Sequence, residues 1–173
     1  MPEPSTREHG FARVLHLACD VSAGAGALLL LAMAATTVVS VVGRALWSSP
    51  IQGDVELVQL GGAICIACFL PYTQYRGANI IVDFFTQKSG PRARALMDAL
   101  GTALYALVLA LVCWRVWAGG VAARENTETS MLMSIPIYIP YFAMLPGLAL
   151  AVLVAARQTV EHLRASAAPE AKP

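Results

Sequence analysis

Four long runs of apolar residues constrain this chain more than any other feature of its sequence. An α-helix needs about 20 residues to cross a bilayer core of about 30 Å, and each run is close to or above that length. No water inside the hydrocarbon can satisfy backbone N–H and C=O groups, so each run is predicted to be a helix. The predicted spans are residues 21–43, 57–75, 95–118 and 135–156.

The composition supports a membrane protein. Hydrophobic residues make up 57% of the chain and charged residues only 13%, against about 25% charged in a soluble globular domain. The net charge of +1 and the absence of a basic stripe give no sign of nucleic-acid binding. The first run exceeds the apolar core of about 7–15 residues in a signal peptide, so it is interpreted as a retained span.

The distribution of basic residues predicts the topology. Nine of the 12 Lys and Arg residues lie in the two tails and in the connector between the second and third spans. Cytoplasmic segments carry this excess, so both termini are predicted to be cytoplasmic. The predicted organisation is a cytoplasmic N-terminal segment (1–20), a four-helix membrane domain (21–164) and a disordered cytoplasmic tail (165–173).

The connector after the second span has an amphipathic pattern. Its polar residues fall on one helical face and its Ile and Phe residues on the other, which predicts a short helix lying in the membrane interface. The polar face carries Asn79, Asp83, Thr86 and Gln87, and the apolar face carries Ile80, Ile81, Phe84 and Phe85.

Few residues suggest chemistry within the spans. Cys65 and Cys68 form a C-x-x-C pair, which is compatible with a membrane thiol–quinone oxidoreductase, but a mid-span apolar environment suppresses thiol reactivity. The three His residues lie in the tails or at their edges, so no haem or metal site is predicted. The sequence therefore predicts no catalytic residue, no metal and no cofactor.

Ionisable residues avoid the middle of every span. Asp98 and Arg115 are the only Asp, Glu, Lys, Arg or His residues within the predicted spans, and both lie near span ends. A protein that conducts charged solutes normally carries polar groups at the midplane of interrupted helices. The chain is therefore interpreted as a partner of a transport pathway rather than the pathway itself.

Several short motifs, in order along the chain, resemble one transporter family. Arg44 ends the first span, Glu56-Leu57 opens the second, and Phe69-Leu70 precedes the run Tyr75-Arg76-Gly77-Ala78-Asn79-Ile80-Ile81-Val82-Asp83. Thr129-x-Met131, Ile135-Pro136 and Pro146-Gly147 follow around the fourth span. The chain resembles the small membrane (Q-type) subunit of tripartite ATP-independent periplasmic (TRAP) transporters over residues 21–164. Asn79 replaces the His found in many members, and an Asn amide does not titrate near neutral pH as His does.

The resemblance implies a function and partners. The chain would brace a large multi-span subunit in the bacterial inner membrane, among membrane lipids. A periplasmic binding protein would deliver an organic acid, and an ion gradient would drive its uptake. The resemblance also implies that the motif residues are structural: Arg44, Glu56, Arg76, Gly77, Asn79, Asp83, Pro136 and Pro146.

The charged residues of the two periplasmic connectors are candidates for contact with the binding protein. These candidates are Arg44, Asp54, Glu56, Arg124, Glu125 and Glu128. Two alternatives stay open beside the scaffold role. One is the thiol–quinone oxidoreductase, and the other is the small subunit of a different tripartite carboxylate carrier.

Overall fold

A computed structural model describes residues 6–47, 53–77 and 91–167 of the chain. These residues form four α-helices: α1 (Thr6–Trp47), α2 (Asp54–Tyr75), α3 (Pro91–Glu125) and α4 (Tyr138–Ala167). All four are long and apolar enough to cross a membrane. The predicted all-α membrane fold with four transmembrane helices is confirmed.

Some predicted features fall on other parts of the chain. The predicted interfacial helix, with Asn79 and Asp83, lies outside the described residues. At the C-terminus, α4 continues to Ala167, three residues into the segment predicted to be disordered, and residues 168–173 lie outside the described part. The cytoplasmic location of both termini stays a prediction.

The helices are arranged as a row in the order α1–α2–α4–α3. Within the described residues, α2 packs against α1 on one side and α4 on the other, and α4 also packs against α3. Helix α3 approaches neither α1 nor α2 in this part of the chain. Near the start of α1, Leu15 and Cys19 reach Val154 of α4. The row leaves two broad faces and both edge helices open.

The open faces are apolar. Leu28 and Leu31 of α1 are 70% and 68% exposed, and Leu100 of α3 is 73% exposed. Such exposure would be costly in water, but lipid tails are as apolar as leucine. The row is therefore suited to lipid or to other membrane helices on its open faces.

Small residues bring neighbouring helices together. A Cβ built on Gly147 of α4 would collide with the backbone carbonyl of Ala67 in α2, so the two helices touch there backbone to backbone. Between α1 and α2, the Ser22 hydroxyl donates to the Cys68 carbonyl at 2.9 Å. Close backbone approach at small residues is a main source of helix association in membranes.

Polar side chains link α2 and α4 near their C-terminal ends. Gln74 is only 2% exposed. Its Nε2 donates to Gln158 Oε1 at 2.7 Å. In turn, Gln158 Nε2 donates to the backbone carbonyl oxygen of Gln74 at 2.9 Å. A buried amide is stabilising only when it is hydrogen-bonded. The reciprocal pair fixes the register of the two helices.

Replacement of Gln74 by Leu is expected to weaken the α2–α4 contact, because it removes the side-chain bond to Gln158. Interhelical hydrogen bonds in membranes contribute about 0.6 kcal/mol on average and up to about 1.7 kcal/mol. A double-mutant cycle with Gln158→Leu, measured by unfolding in mixed micelles, should give a coupling energy of about 1 kcal/mol. Thr73→Val is the control, since the Thr73 hydroxyl donates to the Phe69 carbonyl in its own helix. Strictly additive effects of the two Gln substitutions would contradict the expectation.

Candidate functional site

The end of α1 is joined to the start of α2 through Asp54. The buried Ser40 hydroxyl donates to Asp54 Oδ2 at 2.6 Å, and Arg44 Nη2 lies 3.8 Å from the same oxygen. The backbone N–H of Val55 donates to Asp54 Oδ1 at 2.8 Å. A carboxylate in the first turn is favoured by the partial positive charge of a helix N-terminus. Asp54 therefore fastens two helices together at this end of the row.

Glu56, in the same first turn of α2 as Asp54, holds the loop between α3 and α4. The Ser130 hydroxyl donates to Glu56 Oε2 at 2.6 Å. The backbone N–H groups of Leu132 and Met133 donate to the same carboxylate at 2.9 and 3.2 Å. Hydrogen bonds to an ionised acceptor are the stronger class. A single side chain thus ties the loop to the start of α2.

The loop itself is an ordered hairpin. Thr129 and Pro136 form an antiparallel bridge, the Ser130 N–H donates to the Ile135 carbonyl at 2.9 Å, and the Ile137 N–H donates to the Glu128 carbonyl at 3.0 Å. Pro136, one of the predicted motif residues, therefore closes the hairpin. The chain turns back at residues 131–133, which we call the loop tip.

The loop tip is apolar and projects outward. Met131 is 97% exposed, Leu132 70% and Met133 40%. Met133 lies over Gly53, where a Cβ would collide with its side chain. Gly53 also has a φ of +81°, which an L side chain rarely adopts. Gly53 therefore allows the turn into α2, and its lack of a Cβ leaves room for the Met133 side chain.

The six predicted docking residues share one end of the row, which we call the Glu56 end: the end of α1, the start of α2, the end of α3 and the following loop. Asp54 and Glu56 use their carboxylates inside the chain. The Arg44 side chain is 63% exposed, and Arg124, Glu125 and Glu128 are exposed. Of the six residues, these four are the ones most open to a partner.

Three further motif residues, Arg76, Gly77 and Pro146, lie elsewhere in α2 and α4 or next to them. At the opposite end of α2, Arg76 Nε donates to the Tyr72 hydroxyl at 3.1 Å, and its guanidinium carbon lies 5.2 Å from the ring centre. Gly77 follows with a φ of +64°, so it allows the chain to turn. Pro146 precedes the Gly147 contact in α4 and lines an open apolar groove between α3 and α4 of about 720 Å³.

The two cysteines of the C-x-x-C pair face helix α1. Cys65 is buried, and its Sγ donates to the Gly26 carbonyl at 3.4 Å. The Cβ of Cys68 is 3.0 Å from the position that a Cβ on Gly26 would take. Both cysteines are free thiols. Their contacts are those of small packing residues between two helices.

Sequence reasoning did not anticipate three parts of this site: Ser40, Ser130 and the loop tip. A lone Ser near a helix end and another in a connector carry no distinctive signal. The apolar Met131-Leu132-Met133 run is the signal that could have been recognised in the sequence. Connectors usually run over the surface of a protein, so the run could have predicted an exposed apolar loop.

Comparison with known families identifies the chain. The family model described as "Tripartite ATP-independent periplasmic transporters, DctQ component" matches residues 33–165, which is more than half of the chain. Searches of the curated proteins and of the solved structures give no match. The match confirms the resemblance seen in the motifs, and it displaces the thiol–quinone oxidoreductase and the unrelated carboxylate carrier. The chain belongs to the DctQ family and is the small membrane subunit of a tripartite transporter, not an enzyme.

Proposed function

We propose that this subunit braces the large membrane subunit of its transporter in the bacterial inner membrane, with both termini in the cytoplasm. The large subunit carries the substrate path. A periplasmic binding protein delivers an organic acid to the complex, and an ion gradient drives uptake. The small subunit acts as a scaffold and as part of the docking platform.

The row of helices is the observation that carries the scaffold role. Because α1 and α3 lie at opposite edges of the row in the described part of the chain, the four helices do not surround a central path. The predicted spans keep Asp, Glu, Lys, Arg and His away from their centres. Among the described helices a charged solute would find no enclosed route, and the predicted spans offer it no ionisable group at mid-depth.

The open faces of α1, α2 and α4 supply the surface for the large subunit. Leu28 and Val38 of α1, Ile66 of α2 and Leu153 of α4 are each more than half exposed. Membrane helices associate through shape-complementary packing rather than through burial from water. An open apolar face that runs over several helices is well suited to lie alongside a larger bundle.

Co-purification tests the scaffold role. When the small and large subunits are expressed together, an affinity tag on the small subunit should retain the large one in mild detergent. Paired substitutions to Trp on an open face, such as Leu28→Trp with Leu31→Trp, should reduce that retention if the face is used. Recovery of the small subunit alone at normal expression of both would reject the scaffold role.

The exposed charges at the Glu56 end support docking of the binding protein. The triple variant Arg124→Gln, Glu125→Gln, Glu128→Gln is expected to reduce uptake by about tenfold at low substrate, because charges at an interface mainly steer association. Asp54 and Glu56 are left intact, since both hold the fold. The rate is measured as initial uptake in cells at equal membrane levels of the complex.

Glu161→Gln is the matched control, because Glu161 is exposed at the opposite end of the row and pairs with Arg157 in the same helix. It should leave uptake unchanged. Normal uptake by the triple variant would reject docking through these charges.

A further inference from the structure

The loop tip has a feature that the scaffold role does not use. Met131 is 97% exposed, the highest value for a large hydrophobic residue in the described part of the chain, and the adjacent Leu132 is 70% exposed. The tip lies in the loop between α3 and α4 and is bound to the first turn of α2, so it is not part of a spanning helix. Its exposure is therefore not that of a residue on the open face of a spanning helix.

The tip is held in place by hydrogen bonds. The backbone N–H groups of Leu132 and Met133 are bound to Glu56, and the bridge between Thr129 and Pro136 closes the hairpin behind them. A surface that is ordered before binding loses less conformational entropy when a partner arrives. Several hydrogen bonds therefore hold a segment in which the Met131 and Leu132 side chains are exposed.

The surroundings resemble a protein–protein interface. Protein–protein interfaces are enriched in Met and Arg and have a polar, solvent-accessible rim, and flexible Met side chains adapt to the partner surface. Here Arg124, Glu125 and Glu128 flank the tip in the same loop or at the helix end that leads into it, and all three are exposed. Arg44, beside Asp54, adds a charge from α1.

A membrane surface fits the same tip less well. Segments that lie on membranes combine apolar residues with an excess of Lys and Arg, which attract anionic lipid. The two exposed glutamates next to the tip oppose such attraction and balance the two arginines. The mixed charge is better matched by a protein partner.

We propose that Met131 and Leu132 form the apolar centre of the docking site for the periplasmic binding protein, surrounded by Arg44, Arg124, Glu125 and Glu128. This inference rests on the proposed function, which supplies the partner and places the Glu56 end in the periplasm. The two side chains bury their apolar surface against the binding protein, while the charges orient its approach.

The experiment uses the complex of small and large subunits in lipid nanodiscs, titrated with the fluorescently labelled binding protein of the same transporter. The variant Met131→Gln with Leu132→Gln keeps side-chain size and removes apolar surface. We expect its Kd to rise by about tenfold or more, as for central interface residues, with an unchanged melting temperature. Met97→Gln is the control, since Met97 is an exposed methionine near the start of α3, and it should bind like the wild type.

The outcomes separate the proposals. Equal affinity of the double variant and the wild type would overturn the role of the tip and leave the scaffold role standing. Loss of the large subunit from the double variant during purification would overturn it too, since the tip would then contact that subunit. If the wild-type complex itself fails to bind the binding protein, docking as part of the proposed function falls.

Discussion

Gly147→Ala is expected to force α2 and α4 apart at the centre of the row. A Cβ at this position would collide with the Ala67 carbonyl oxygen and carbon, and it would lie 3.2 Å from the Cys68 nitrogen. These are backbone atoms, so they cannot rotate away as a side chain does. Overpacking of this kind costs about 1–3 kcal/mol. We expect a clear fall in the free energy of unfolding, measured in mixed micelles.

Two neighbouring glycines on α2 provide matched controls. A Cβ at Gly62 would meet nothing within 4 Å, so Gly62→Ala should be neutral or stabilising, because Ala is favoured over Gly in a helix by about 1 kcal/mol. A Cβ at Gly61 would meet the side chain of Met33, which can move, so Gly61→Ala should be intermediate. If Gly147→Ala and Gly62→Ala had the same free energy of unfolding, this would contradict a close backbone contact between α2 and α4.

Glu56→Ala is expected to release the loop between α3 and α4. The substitution removes the acceptor for Ser130 Oγ and for two backbone N–H groups at once. Because hydrogen bonds to charged groups are the stronger class, amide exchange at Leu132 and Met133 should accelerate by about tenfold or more. Uptake should fall with it, since the tip would no longer be held in place.

The graded series makes this expectation specific. Glu56→Gln keeps one carbonyl acceptor, so its exchange rates should lie between those of the wild type and Glu56→Ala. Val55→Ala changes an exposed neighbour in the same turn and should leave the loop amides protected. Equal protection of Leu132 and Met133 in all variants would contradict the role assigned to Glu56.

Helix count was predictable because it depends on a local property. A run of apolar residues long enough to span a bilayer must satisfy its own backbone, so each run becomes a helix. The start of α1 was harder to predict from the sequence. The helix begins at Thr6, ahead of the apolar run, and its early turns carry a His16–Asp20 pair and bury Leu15 and Cys19 against α4. That burial depends on a helix more than 100 residues away in the chain.

The order of the helices in space was not predictable, because apolar faces in a membrane protein give little sign of which neighbour they meet. Gly61 and Gly62 are adjacent in the sequence, and of the two only Gly61 has a side chain, that of Met33, within reach of an added Cβ. Pro146-Gly147 was recognisable in the sequence only as a motif of the family. The tight contact of Gly147 with Ala67 depends on the register of α2 and α4, which the Gln74–Gln158 pair helps to set.

The location of the candidate residues was predictable in part, and their docking role stays a prediction. All the charged docking candidates share one end of the row, because the two short connectors must lie on the same side of the membrane. The sequence did not indicate which of these residues bond inside the chain, since those bonds depend on Ser40 and Ser130. Those hydroxyls bind the carboxylates of Asp54 and Glu56 inside the chain, whereas Arg44, Arg124, Glu125 and Glu128 are exposed.

Reconstitution into proteoliposomes tests most directly whether this subunit supports a transport path without containing one. We expect no concentrative uptake of an organic acid by the small subunit alone, and uptake when the large subunit and the loaded binding protein are added under an ion gradient. Omitting the small subunit should reduce that uptake strongly. Concentrative transport by the small subunit alone would contradict the scaffold role.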